Sequence, residues 1–117
     1  MKLYRCAHCG NTVVFVQESG VPVICCGEAM QQIRPGAVDA SHEKHVPVAR
    51  VDKNKVTVEV GSAAHPMEEK HFIEWIVLES AQGRQRKTLK PGDAPRATFM
   101  LTEDDAPVAV YAYCNLH

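Results

Sequence analysis

The pattern of apolar and polar positions divides the chain into two unequal stretches. Lys55–Val60 alternates strictly between polar and apolar side chains, as a strand with one buried face does. Residues 71–79 (HFIEWIVLE) are apolar on both faces except at Glu74, the pattern of a central strand. Residues 46–51, 84–89, 96–102 and 107–113 read as further strands. Turns lie at Asp52-Lys53-Asn54, at Ala81-Gln82-Gly83 and across the loop 90–95. Short strands at this spacing, with no convincing helix, predict a mainly β chain folded as an antiparallel sandwich or barrel.

Ahead of this lies a smaller unit. Leu3–Arg5 and residues 13–17 read as strands around the first of two cysteine pairs, and residues 21–24 lead to the second. A unit this short buries too little apolar surface to fold alone and needs a staple. Arg34-Pro35-Gly36 breaks the pattern, and residues 37–42 read as a small, polar linker. The expected organisation is one domain over residues 1–36 and a second over 37–117.

The 117 residues include 45% apolar and 23% charged side chains, with a formal net charge of -1. That balance gives no reason to expect nucleic acid or an anionic membrane as partner. Arg84, Arg86, Lys87 and Lys90 form a basic cluster without interleaved aromatics, which reads as a solvated strand and turn. No apolar run approaches a membrane span, and Cys6 interrupts the start before a signal-peptide core can form. These features place the protein in the cytoplasm, where clustered cysteines point to metal rather than disulfides.

Cys6 and Cys9 form a C-x-x-C knuckle, and Cys25 and Cys26 are adjacent. Together they offer four thiolates, the donor set of tetrahedral zinc or of a single iron. No basic recognition helix follows, so a nucleic-acid finger fits poorly. No βαβ pattern follows either, so a redox dithiol does too. His8, inside the knuckle, faces a shell already complete and receives no role.

Cys114 is then left over and needs an explanation. His117 follows it by three positions, and His42, His45, His65 and His71 lie upstream. His42, in the polar linker, is the weakest ligand candidate. Prolines near His45 and His65 stiffen their backbones, which helps preorganise a site. His45, His65, His71, His117 and Cys114 exceed the four ligands of structural zinc. Imidazoles with one thiolate suit iron, and five ligands on an octahedral frame leave one position for a small anion. Glu43 and Lys44 would lie at the edge of such a site. Lys44 can draw an anion in and donate hydrogen bonds, and Glu43 can displace the product. Taken singly, both read as a solvated ion pair.

The sequence resembles the desulfoferrodoxin family, the two-iron class of superoxide reductases, from Tyr4 to His117. The resemblance is carried by the two cysteine pairs and by Glu43-Lys44-His45-Val46-Pro47, His65-Pro66-Met67-Glu68-Glu69-Lys70-His71, Leu89-Lys90-Pro91-Gly92-Asp93 and Cys114-Asn115-Leu116-His117. It implies a desulforedoxin-like domain holding one iron in Cys6, Cys9, Cys25 and Cys26. An immunoglobulin-like antiparallel β-sandwich follows. There a second iron would have His45, His65, His71 and His117 as equatorial ligands and Cys114 as the axial one. It further implies reduction of superoxide to hydrogen peroxide, rubredoxin or a similar small redox protein as electron donor, and a homodimer. Family members usually continue past this histidine with a glycine and a short tail, whereas this sequence stops at His117. Two other readings compete: a non-catalytic iron protein that only shuttles electrons, and a zinc-stapled binding module.

Overall fold

The structure, a computed structural model, describes residues 1–34 and 46–115. It divides into two compact units, Met1–Val38 and Asp39–His117. All regular structure among the described residues is β, and no helix is long and apolar enough to cross a membrane.

In the first unit, β1 (Leu3–Arg5) pairs antiparallel with β2 (Thr12–Val14) on one side and with β5 (Gln31–Ile33) on the other. A separate hairpin joins β3 (Ile24–Cys25) to β4 (Glu28–Ala29). Tyr4 packs edge-on against Phe15, with ring centroids 5.1 Å apart, and its hydroxyl donates to Glu18 at 3.3 Å. Strand β2 is shorter than the apolar run at 13–17 predicts, and Val16 is fully exposed. β4 and β5 were not foreseen at all.

The second unit holds two three-stranded antiparallel sheets. One has the order β10-β7-β6, built from β6 (Pro47–Asp52), β7 (Lys55–Val60) and β10 (Arg96–Met100). The other has the order β11-β8-β9, built from β8 (Ile73–Ser80), β9 (Gly83–Thr88) and β11 (Pro107–Cys114). The alternation of Lys55–Val60 places Val56, Val58 and Val60 inward, where none retains exposed surface. Ile73, Ile76 and Leu78 of β8, with Ala97 and Phe99 of β10, complete one core to which Cys114 also belongs. This is the antiparallel sandwich expected of the chain. β8 is central in its sheet, but it begins at Ile73; His71 lies before it, in a one-residue bridge with Glu68.

Side chains knit the two sheets along one seam. Gln85 Nε2 donates to the Met100 carbonyl at 2.9 Å, and Lys87 Nζ donates to the Thr98 carbonyl. The Lys87 ammonium also lies 5.4 Å from the Phe99 ring centroid. The basic strand is otherwise as exposed as expected.

At the β8–β9 turn, Asp105 accepts from Ser80 Oγ at 2.7 Å, Gln82 N at 3.1 Å and Ala106 N at 2.8 Å. The Ser80 hydroxyl is the main reason its carboxyl lies below the usual value; burial works in the opposite sense. A carboxyl lowered by folding stabilises the native state above the unfolded-chain value, about 3.9, and loses that contribution as pH falls through the lowered one. Urea unfolding of wild type and Asp105→Asn between pH 7 and pH 3 checks this. The wild-type advantage is expected to be largest near neutrality and to shrink in acid; a pH-independent difference would contradict it.

Candidate metal centres

Local backbone geometry explains both cysteine pairs. Cys6-Ala7-His8-Cys9-Gly10 closes on itself: Gly10 N donates to Cys6 O at 3.0 Å, and Cys6 N to Asn11 O at 2.9 Å. Gly10 has φ of 81°, a left-handed conformation that glycine adopts without cost. The turn aims amide protons at sulfur: Cys9 N lies 3.5 Å from Cys6 Sγ, and Asn11 N 3.5 Å from Cys9 Sγ. The adjacent pair sits at the β3–β4 hairpin. Cys25 opposes Glu28, so Cys26-Gly27 is a two-residue turn. Its φ values of 51° and 79° are both positive, as a type I′ hairpin turn requires.

The result brings the sulfurs of Cys6, Cys9, Cys25 and Cys26 within 4.8 Å of one another. None is in a disulfide. Two metal–sulfur bonds of about 2.3 Å laid end to end span nearly that distance, so the four thiols fit one ion. Their protonation fits as well. The Cys9 amide, foremost, lowers the Cys6 thiol to about 6, against desolvation. Cys26 is pushed up to about 12, chiefly by its hydrogen bond with Cys6, and Cys25 is raised, chiefly by its bond with Cys9. Without a cation Cys6 ionises readily, while Cys25 and Cys26 resist ionisation. His8, assigned no role, is exposed, with Nε2 3.1 Å from Glu28 Oε2.

In the second unit, His65, His71 and Cys114 converge, with candidate ligand atoms within 4.8 Å of one another. His65 is 3% exposed and Cys114 5%, with His71 half-buried, so this cluster is more buried than the first. The imidazoles meet edge to face, with centroids 4.7 Å apart and planes at 81°. His65 Nδ1 lies 2.7 Å from the Pro66 carbonyl. A carbonyl only accepts, so Nδ1 carries the proton and Nε2 carries the lone pair a metal would use. The Nε2 atoms of both histidines are buried.

The segment between the histidines is held on several sides. Glu68 and His71 exchange both backbone hydrogen bonds, at 2.9 and 3.0 Å. Met67 Sδ accepts from Ile73 N at 3.4 Å, and Met67 O accepts from Gly92 N at 2.8 Å. The Lys90-Pro91-Gly92-Asp93 turn, with Gly92 at φ 91°, therefore acts on the site without contributing a ligand. Asn115 N donates to Phe72 O at 3.1 Å, its Oδ1 accepts from Phe72 N at 2.9 Å, and its Nδ2 donates to Lys70 O at 3.0 Å. Sequence reading assigned nothing to Met67 or Asn115; their only signal was membership of the quoted motifs. Glu43, Lys44, His45 and His117 lie outside the described residues.

Comparison with known proteins agrees with both donor sets. Residues 37–117 match the family model described as desulfoferrodoxin, and residues 1–33 the one described as its N-terminal domain. The desulfoferrodoxin of Nitratidesulfovibrio vulgaris is 48% identical over 116 residues, covering 99% of this chain and 90% of that protein. A desulfoferrodoxin homolog of Archaeoglobus fulgidus is 46% identical over 117 residues, covering 100% of this chain and 92% of that protein. The crystal structure of the superoxide reductase from Treponema pallidum superposes with a TM-score of 0.82 at 39% identity, covering 98% of this chain and 93% of that one. With two donor clusters matching the two-iron arrangement and family matches that together span nearly its whole length, the chain belongs to the desulfoferrodoxin family.

Proposed function

We propose that the chain is a superoxide reductase, reducing superoxide by one electron to hydrogen peroxide. The observation that supports this best is the convergence of His65, His71 and Cys114. In this reading His45 and His117 join them, and Cys6, Cys9, Cys25 and Cys26 hold a second iron. The functional division follows the units expected from sequence, residues 1–36 and 37–117. When bound, iron at the His/Cys site supplies the electron that superoxide accepts.

The protein's own groups do the rest. Superoxide, one electron and two protons make one hydrogen peroxide, so the chain must deliver protons as well as hold the metal. Lys44 draws the anion in and donates protons or hydrogen bonds to it, directly or through water. Glu43 brings a carboxylate that displaces the product. The Pro66 carbonyl keeps His65 in the Nδ1-protonated tautomer, which makes its Nε2 a better donor. Cys114 adds the one anionic donor of the set. A rubredoxin-like protein returns the electron, and the chain works in the cytoplasm as a homodimer.

Pulse radiolysis of the iron-loaded, reduced protein tests this reading. Superoxide should disappear in a second-order reaction on the order of 10⁸–10⁹ M⁻¹s⁻¹, the range of electrostatically steered encounter. One peroxide should form per superoxide consumed. Half that yield, with oxygen evolved, would indicate dismutation instead. Decay no faster than in buffer would favour a protein that only shuttles electrons.

A further inference from the structure

We propose that Asn115 is a positioning residue that sets the geometry of His71 relative to Cys114. The inference rests on the reading of His71 and Cys114 as metal ligands.

Two peptide groups flank His71, and together they offer two carbonyls and two amides. All four are engaged. His71 N and His71 O bond to Glu68 at 3.0 and 2.9 Å. The remaining pair, Lys70 O and Phe72 N, is taken by one side chain: Asn115 Nδ2 donates to the first at 3.0 Å and Asn115 Oδ1 accepts from the second at 2.9 Å. A third bond, Asn115 N to Phe72 O at 3.1 Å, lays the backbone of Asn115 alongside the same segment. The φ and ψ of His71 are thereby fixed from both sides. Half of that hold comes from the residue covalently joined to Cys114, 45 positions away from Lys70. Asn115 Oδ1 also lies 3.9 Å from Cys114 Sγ.

The chemistry requires this side chain. The grip needs one acceptor and one donor on adjacent atoms of a short, planar group, which asparagine provides. Aspartate has the shape but no donor, and would set an anionic oxygen against the Lys70 carbonyl. Alanine offers neither group. Strand pairing is irregular here, because β11 and β8 shift register between Tyr113 and Cys114. Cys114 still opposes Ile73, but across that irregularity the regular ladder does not by itself set the sulfur's position.

The test is a Co(II) titration of the full chain, read by thiolate-to-cobalt absorption. The four-cysteine site serves as an internal reference. Wild type should bind two cobalt ions. Asn115→Ala should bind the second roughly 10–100-fold more weakly, the usual effect of losing an outer partner of a ligand. Its Cys114 charge-transfer band should shift, the four-cysteine spectrum should stay unchanged, and the Phe72 amide should exchange faster. Asn115→Asp, which keeps the shape but loses the donor to Lys70 O, should also bind the second ion more weakly and serves if the alanine variant misfolds. Wild type binding two ions while both variants bind the second with unchanged affinity and band position overturns the proposal. Wild type binding a single ion overturns the metal reading beneath it.

Discussion

Replacing Cys9 and Cys26 together by serine is expected to unfold residues 1–34 and to leave the sandwich folded. Of the buried apolar residues among those described, Cys6 alone belongs to the first unit. Its strands are two or three residues long, and Val16, Val21 and Ile24 are exposed. Burial therefore contributes little there, whereas a structural ion in such small units contributes roughly 10–16 kcal/mol near neutral pH. The thiols themselves argue for a cation: with Cys6 lowered to about 6 but Cys26 raised to about 12, four adjacent thiolates do not form unaided. Amide hydrogen exchange checks the outcome. In the variant, protection should vanish across β1 to β5 and persist in β7 and β8. Chelation of the wild type should reproduce the pattern. Retained protection in β1 would show that the unit folds without its ion.

Cys114→Ser is expected to slow the reaction with superoxide by at least ~100-fold, the upper end of what loss of an outer partner alone costs. Serine stays protonated at neutral pH and removes the thiolate donor beside His65 and His71. It also sets a hydroxyl in a core position that is 5% exposed, beside Ile73. A buried hydroxyl without a good partner costs about 1–3 kcal/mol, which urea unfolding would register without loss of fold. Pulse radiolysis and urea curves on the same preparation separate the two effects. A rate within threefold of wild type would remove the thiolate from the proposed reaction.

Much of the sandwich was legible because β7, β8 and β10 each turn a face toward a core. Lys55–Val60 reads as β7 residue for residue, since Val56, Val58 and Val60 must all turn inward together. The first unit was read less well. Its hairpins are shorter than any period, and several of its apolar residues, Val16, Val21 and Ile24 among them, face outward, so alternation carries little information there. The cysteine spacing was legible as a donor set, but not the reason two cysteines stand side by side; that lies in the positive φ of Cys26 and Gly27. His71 was taken as the start of a strand. The reciprocal bonds with Glu68 instead make it the end of a tight turn, a distinction of backbone pairing that side-chain pattern does not encode. The grip of Asn115 on Lys70 and Phe72 joins distant positions through one amide, and no local pattern announces such a bond.

The seam formed by Gln85 and Lys87 bears on how the chain behaves in a crowded solution. β9 and β10 are the outermost strands of their sheets on that side. An outermost strand with idle carbonyls is a template for another chain to continue the sheet. Here the carbonyls of Thr98 and Met100 are already taken by side chains from across the gap. A foreign strand would have to expel a lysine ammonium and a carboxamide before its own amides reached the backbone. The sandwich is thus guarded against runaway polymerisation along this flank by two of its own most polar side chains.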